Sequence, residues 1–353
     1  MRLAVLDSKG CALMPCTPAK ARQLFKAGKA KPKWNKLGVF CVQLCYEQEP
    51  DNQPLVVGID PGSKWEGLSI VGRKDTVLNL MAEAPSHVKD VVETRRTMRR
   101  ARRHRKWRRP KRFANRLNRK RRIPPSTRSR WEAKARIVTQ LKRVLPLTDV
   151  VVEDVQAVTR PGKNREWNTS FSPVQVGKDH LHRLLSEMGL TVHTREGWQT
   201  KVLREQYGLK KTKSKSKQSF ESRAIDAWVL AACVSGAETP TCKRLWYVVP
   251  VRLHRRQLHL LEAAKGGRRK RYGGTRSLEF KRGTLVRHPH YGLCSVGGFD
   301  RKRQTISLHD YRTNTRATKS ARASECQIKT GIAFRSWLIS DKKKGERAIP
   351  PAP

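Results

Sequence analysis

Short apolar runs separated by turn residues predict several β-strands in the first half of the chain. Three of them follow one another closely and are joined by tight turns, which is typical of an antiparallel meander. They cover residues 55–60 (LVVGID), 67–72 (GLSIVG) and 76–84 (TVLNLMAEA). A fourth run, residues 150–155 (VVVEDV), also has the length of a strand.

Apolar residues at helical spacing predict three helices. The first two carry Trp131, Ala135, Val138, Leu141 and Leu145, and then Leu181, Leu184, Leu185 and Met188. The third is predicted over residues 219–234, with Phe220, Ala224, Ala227, Trp228 and Ala231 on one side. Strands and helices together place the chain in the α/β class.

After Tyr247 the chain becomes basic and contains short strand-like pieces, GTLVRHP and QTISLHD, which predict a small β-rich unit. The polar stretch of residues 210–219 and the tail of residues 341–353 have few apolar residues, so both are expected to be mobile or disordered. No repeat of fixed period is present.

The net charge changes this picture most. The 353 residues include 77 Lys and Arg but only 29 Asp and Glu, giving a formal net charge of +48. Such an excess indicates a large polyanionic partner and argues against a free metabolic enzyme. A purely disordered chain is also excluded, because 37% of the residues are hydrophobic and nine are Trp.

Neither a membrane span nor a signal peptide is predicted, so a cytoplasmic location is expected. The eight cysteines contain no CxxC pair and only one CxxxC pair, Cys41 and Cys45. Reduced structural thiols are therefore expected and a structural zinc site is not.

Between residues 93 and 122, 17 of 30 residues are Lys or Arg. Arginine favours helix, and only Pro110 interrupts, so one long helix is predicted. Its few apolar residues cannot form a stripe, and its like charges repel unless phosphates neutralise them. Trp107 and Phe113 are candidates for base stacking. The candidate RNA-binding residues are Arg95, Arg96, Arg99, Arg100, Arg102, Arg103, Arg105, Arg108, Arg109, Arg112 and Arg116.

Three carboxylates interrupt segments that otherwise have the composition of a core. Asp60 ends a strand, Glu153 lies within another, and Asp226 lies in an apolar helix. Burying three such charges requires compensating cations, and oxygen ligands favour Mg²⁺ or Mn²⁺. A strand-Asp, strand-Glu, helix-Asp order matches the ribonuclease H architecture. Taken singly, each residue has an ordinary alternative as a turn, surface or cap residue.

The segments GIDPGSKWEGLSIVG, VVVEDV and SRAIDAWVLA resemble the three RuvC motifs, and the arginine segment resembles the bridge helix of RNA-guided nucleases. The start, VLDSKGCALMPCTPAKARQLFKAGKAKP, resembles a PLMP domain with Ala12 in place of the first Pro. This order is that of the transposon-encoded IscB-like proteins. Only 72 residues separate Glu153 from Asp226, without an HNH pattern, so the resemblance is to IsrB, the relative that lacks HNH.

The resemblance implies an RNase H-like RuvC core, with a mixed sheet and flanking helices, split by the bridge helix. It also implies the following domains: PLMP 1–50, RuvC part I 51–92, bridge helix 93–127, RuvC part II 128–160, RuvC part III 161–250, and a basic β-rich C-terminal domain 251–353 that contacts guide RNA and the target-adjacent motif.

The function implied is that of an ωRNA-guided DNA nickase that cuts the displaced strand of an R-loop formed on double-stranded DNA. Asp60, Glu153 and Asp226 would hold two Mg²⁺ or Mn²⁺ ions, with Asp60 bridging them. No nucleotide cofactor and no membrane are implied, and one protein per RNA is expected. Arg223 occupies the position where many RuvC centres have a His, and His180, His182 and His193 are only weak substitutes. Two alternatives stay open: an inactive RNA-binding scaffold and an RNA-independent junction resolvase.

Overall fold

The structure is a computed structural model. It describes residues 2–105, 123–154, 172–212, 214, 216–250, 261–262, 267–268, 276–331 and 334–339. The helices are α1 (Pro18–Lys26), α2 (Val88–Arg105), α3 (Pro125–Lys142), α4 (Pro173–Glu187), α5 (Gly197–Gln206), α6 (Phe220–Arg223) and α7 (Ile225–Ser235).

The strands of the first half are β1 (Leu3–Leu6), β2 (Ala12–Cys16), β3 (Ala30–Trp34), β4 (Phe40–Leu44), β5 (Leu55–Asp60), β6 (Trp65–Val71), β7 (Thr76–Glu83) and β8 (Leu147–Asp154). They are followed by β9 (Thr191–Glu196), β10 (Leu245–Pro250), β11 (Leu261–Glu262), β12 (Gly267–Arg268), β13 (Arg276–Ser277), β14 (Phe280–Lys281), β15 (Thr284–His288), β16 (Gly292–Asp300), β17 (Thr305–Asp310), β18 (Arg316–Arg322), β19 (Gln327–Gly331) and β20 (Phe334–Leu338).

The described residues form two compact units. The first takes its residues from within 1–31, 42–247 and 338–350, and the second from within 32–41 and 248–337. None of the helices in the described part of the chain is long and apolar enough to cross a membrane.

A large mixed sheet organises the first unit, with strand order β10-β7-β6-β5-β8-β9. Strands β5, β6 and β7 pair antiparallel in sequence order, which confirms the predicted meander. Strands β5, β8 and β9 run parallel to one another. Because parallel strands end at the same edge of a sheet, the carboxyl ends of these three strands lie side by side.

Helix α7 covers one face of this sheet at very close range. A Cβ atom added to Gly58 would lie 1.8 Å from the Ala227 carbonyl oxygen, so only glycine permits this approach. Trp228 is fully buried, and its Nε1 atom donates a hydrogen bond of 2.8 Å to Thr76 Oγ1. The helix is thereby fixed over the centre of the sheet.

The opposite face carries α3, which is anchored by a buried ion pair. Lys134 Nζ lies 2.8 Å from Glu66 Oε1, and both side chains are almost completely buried. Burial raises the pKa of Glu66, and the charge of Lys134 lowers it. Helix α4 packs beside α3, where Gly177 meets the Trp131 ring.

The N-terminal strands form a separate sheet in the order β2-β1-β4-β3. Helix α1 begins after Thr17, whose Oγ1 accepts a hydrogen bond from the Lys20 backbone N–H, and Pro18 occupies its first turn. All eight cysteines of the chain are free thiols.

The second unit contains a five-stranded antiparallel sheet in the order β18-β17-β16-β15-β19. Both strand-like pieces noted in the sequence are strands, β15 and β17. The core of this sheet includes Phe280, Val286, Val296, Ile306 and Leu308.

Two features differ from the sequence-based expectation. The predicted helix of residues 219–234 breaks at Ala224 (φ −125°, ψ −5°) into α6 and α7. The break follows from packing, because the Arg223 carbonyl lies against Gly67, where a Cβ atom would be 2.2 Å away. Helix α5 was not predicted at all, because its few apolar residues form no stripe.

We expect Gly58→Ala to lower the free energy of unfolding by at least about 3 kcal/mol, because backbone atoms of both β5 and α7 would have to move apart. Urea unfolding followed by circular dichroism measures this change. Gly298→Ala is the matched control, since its nearest atom would be 3.8 Å away, and it should change stability little. Equal stability of the two variants would contradict the packing described for α7.

Candidate active site

The parallel pairing of β5 and β8 brings Asp60 next to Glu153. Ile59 pairs with Val152, so the next residues, Asp60 and Glu153, are neighbours at the end of the ladder. Gly58 faces α7, and Val151 pairs with it on the neighbouring strand. Asp60 and Glu153 lie two residues further along these strands, so their side chains are on the same face of the sheet. The two carboxylates are hydrogen-bonded to each other.

The break before α7 places Asp226 in the first turn of that helix, where it is 5% exposed. Since α7 crosses β5 at Gly58, its first turn lies above the end of that strand. Asp226 is close enough for its charge to act on both Asp60 and Glu153. The structure therefore brings together the three carboxylates singled out in the sequence.

Crowding of like charges changes the protonation of this cluster. Burial, the charge of Asp60 and the hydrogen bond with Asp60 raise the pKa of Glu153 to about 8. Burial also raises the pKa of Asp60, Lys211 lowers it, and Asp226 raises it. The protonated form of Glu153, which shares a hydrogen bond with Asp60, is thereby favoured.

Two cations from outside the predicted set bind Asp226. Arg204 of α5 donates a hydrogen bond of 2.6 Å to Oδ1. Lys211, from the loop after α5, forms an ion pair with Oδ2. Burial alone would lower the pKa of Lys211, but the hydrogen bond and charge of Asp226 raise it. Part of the negative charge of the cluster is therefore neutralised by the protein itself.

The donor set of the cluster fits a hard divalent cation, because it consists of the oxygen atoms of three carboxylates. In the described residues, however, no three His, Cys, Asp or Glu side chains are arranged to hold a metal ion. To bind a metal ion, Asp226 would have to release Lys211. Lys211 is the more exposed of its two partners, 40% against 18% for Arg204. The roles of Asp60, Glu153 and Asp226 as metal ligands stay a prediction.

Arg223 lies beside this cluster. Its guanidinium is 5.7 Å from the centre of the Trp65 ring, and the charge of Asp60 acts on it.

The three candidate histidines have their contacts elsewhere. His193 pairs with Asp149 at 3.0 Å, near the start of β8 rather than its end. His180 and His182 both lie on α4.

The first part of the arginine segment is helical in α2, which ends at Arg105. No side chain described in this helix is buried, and Arg95, Arg96 and Arg100 are exposed. The side chains of Arg99, Arg102, Arg103 and Arg105 are not among those described. The other candidates lie outside the described residues: Trp107, Arg108, Arg109, Arg112, Phe113 and Arg116.

Sequence reasoning missed three charged residues that shape the site: Arg204, Lys211 and the buried Lys134. Lys211 lies in a basic stretch that was expected to be mobile, and nothing distinguishes it there from its neighbours. Lys134 lies among alanines and apolar residues of the predicted first helix. This apolar neighbourhood is the only sign in the sequence that the side chain is buried.

Comparisons with known proteins give one family match and weak similarities to solved structures, two of which are described below. The family model described as RRXRR protein matches residues 3–171, slightly less than half of the chain. This range includes Asp60 and Glu153 but not Asp226. A comparison with curated proteins gives no match.

Both similar structures are from Thermus thermophilus. RuvC in complex with a Holliday junction substrate is 14% identical, with 51% of this chain and 90% of that chain covered and a TM-score of 0.28. A second RuvC structure is 16% identical, with 52% of this chain and 97% of that chain covered, and also has a TM-score of 0.28.

We expect the stability of the protein to fall as the pH rises from about 4.5 to about 8 in the absence of divalent cations. In this window the folded protein keeps a proton on Glu153 that the unfolded chain has released, so a rise in pH favours unfolding. The slope for one proton is at most about 1.4 kcal/mol per pH unit.

Unfolding in urea with EDTA across this pH range tests the expectation. Glu153→Gln should reduce the dependence of the free energy of unfolding on pH. The stability of this variant relative to the wild type should be highest at pH 8. Glu187→Gln, at an exposed position of α4, serves as the control and should leave the profile unchanged. An unaltered slope in Glu153→Gln would contradict the crowding of the carboxylates.

Proposed function

We propose that this protein is a metal-dependent DNA endonuclease that nicks one strand and is directed by a guide RNA. The observation that carries the proposal is the cluster of Asp60, Glu153 and Asp226 at one edge of a mixed sheet in a chain of net charge +48. When bound there, two Mg²⁺ or Mn²⁺ ions would activate a water molecule and stabilise the departing 3′ oxygen of a phosphodiester.

The side chains around the cluster have distinct tasks in this reaction. Asp60 and Glu153 would hold the cations from adjacent strands, and Glu153 would give up its proton as they bind. Asp226 would complete the site from α7. Arg204 holds Asp226 in position, and Lys211, once released from Asp226, is free to contact a phosphate.

The guide RNA is supported by the arginine helix and by the sequence resemblance. Helix α2 has exposed arginines and no described buried side chain, so its arginine side chains are available for phosphates rather than for a core. One catalytic cluster predicts the cleavage of one strand. The strand displaced by pairing between guide and target is the expected substrate.

A catalytically inactive RNA-binding scaffold is the second candidate. It is favoured by one observation: both oxygens of Asp226 are bound by basic side chains of the protein, as in a purely structural ion pair. The two candidates differ in whether cleavage occurs.

The deciding experiment is to purify the full-length protein, sequence the RNA that co-purifies with it, and offer a supercoiled plasmid matched to that RNA with Mg²⁺ or Mn²⁺. We expect an open-circular, nicked product. Asp60→Asn should reduce nicking by at least about 100-fold, since removing even an outer partner of a metal ligand costs about 10–100-fold.

Asp149→Asn is the matched control, because Asp149 lies near the start of β8 and pairs with His193. It should keep most of the activity. Co-purifying RNA without any metal-dependent nicking would favour the scaffold, and nicking without RNA would favour a junction resolvase.

We expect the triple variant Arg95→Ala, Arg96→Ala and Arg100→Ala to weaken RNA binding without lowering stability, because these side chains are exposed. The slope of log affinity against log salt should fall by about 2, because each phosphate that is no longer neutralised reduces the slope by about 0.7–0.9. Filter binding at several salt concentrations measures the slope.

Lys20→Ala, Arg22→Ala and Lys26→Ala together remove the same charge from exposed positions of α1 and provide the control. If both triple variants changed the slope equally, RNA binding would depend on total charge and not on α2.

A further inference from the structure

An exposed tryptophan directly follows the glycine that lies near the carboxylate cluster. Trp198 is 63% exposed, the highest value among the large hydrophobic residues that the structure describes as exposed. An indole that exposed has no part in the core, and its large apolar face is left to water.

The position of Trp198 follows from the pairing of β8 with β9. Glu153 pairs with Arg195, so the end of β9 lies next to the strand end that carries Glu153. Strand β9 ends one residue later, at Glu196, and α5 begins at Gly197. A Cβ atom added to Gly197 would lie 3.5 Å from Glu153 Oε1. Trp198 is the next residue, so its backbone lies close to a carboxylate of the cluster.

The ring of Trp198 is held in one orientation. Its Nε1 atom donates a hydrogen bond of 2.5 Å to Glu196 Oε2. Glu196 is itself fixed in the capping box of α5, where its backbone N–H is bonded to Gln199. A ring fixed by its polar edge presents its faces to solvent without the entropic cost of ordering it on binding.

Basic residues of α5 and of the loop after it lie near the ring, each in an ion pair. Lys201 is exposed one turn away on α5 and pairs with Glu205, and Arg204 and Lys211 pair with Asp226 of the cluster. A flat aromatic side chain among basic residues is the combination that binds single-stranded nucleic acid, because phosphates follow the charges and bases stack on the ring. In a duplex both faces of a base are already stacked, so an unpaired base is required.

On the basis of the function proposed above, we infer that Trp198 is a stacking platform for one unpaired nucleobase of the DNA strand that enters the carboxylate cluster. The stack fixes a base next to the phosphodiester and so helps to select which bond is presented for cleavage. The ligand class is single-stranded DNA, and the contact is sequence-tolerant because every base has an aromatic face.

Photo-cross-linking tests the inference directly and without cleavage. Full-length Asp60→Asn protein in EDTA is mixed with single-stranded oligonucleotides that carry one 5-iododeoxyuridine at successive positions, and is irradiated and digested with trypsin. We expect one position to cross-link to the peptide of residues 196–201. Cross-links confined to other peptides would overturn the inference.

Variants at the ring provide the second arm. Trp198→Ala should abolish that cross-link and weaken single-strand binding at least about fivefold, whereas Trp198→Phe should retain most of the binding. Val202→Ala, an exposed position one turn later in α5, is the matched control and should bind normally. An unchanged affinity of Trp198→Ala would overturn the inference.

A third arm identifies the occupant. Removing the base at the cross-linking position should weaken wild-type binding but have no further effect on Trp198→Ala, as expected for two groups that contact each other. An RNA probe with 5-iodouridine that cross-links at residues 196–201 more efficiently than DNA would assign the ring to RNA and overturn the inference.

The outcome is separable from that of the proposed function. If wild-type protein fails to nick but the DNA cross-link forms, the nuclease proposal falls and the stacking site is supported. If nicking occurs and the cross-link does not form, the stacking site alone is disproved.

Discussion

The repulsion among three carboxylates is the interaction on which the rest of this structure depends. Asp60 and Glu153 lie at the ends of adjacent parallel strands, and Asp226 lies next to them in the first turn of α7. The fold must then supply positive charge, and it does so with Lys211 and Arg204, while Glu153 takes up a proton. Burying these like charges together lowers the stability of the fold, which indicates that the cluster has a role other than in folding. Its oxygen atoms are the kind of ligand that a divalent cation prefers.

Close packing of α7 makes the cluster possible. Gly58 and Gly67 leave room for backbone atoms of the chain around α6 and α7, so the helix can lie almost directly on the strands. The broken helix turns at Ala224 and points Asp226 toward the strand ends. On the other face, the buried pair of Glu66 and Lys134 ties α3 to the sheet just before the chain reaches β8. Both faces therefore fix the strands that carry the site.

Charge separates the two functional parts of the molecule. The cluster is acidic and compact, while α2 is basic and exposed and has no described side chain in a core. A basic helix without a hydrophobic stripe depends on an external polyanion, and an acidic cluster depends on cations. The function proposed above, which acts on nucleic acid with divalent metal, would satisfy both requirements. Trp198 is exposed and follows Gly197, which lies close to Glu153.

The amino-acid sequence by itself determined the strands of the meander, the strand that carries Glu153 and the charge of the arginine segment, because apolar periodicity and composition are local properties. It also singled out Asp60, Glu153 and Asp226 as acidic residues in apolar surroundings. Only the tertiary structure decided that Lys211 and Arg204 bind Asp226, that α6 and α7 are separate helices, and that Gly197, just before Trp198, lies close to Glu153. These features depend on contacts between segments distant in the chain, and one basic residue in a basic stretch carries no local sign of its partner.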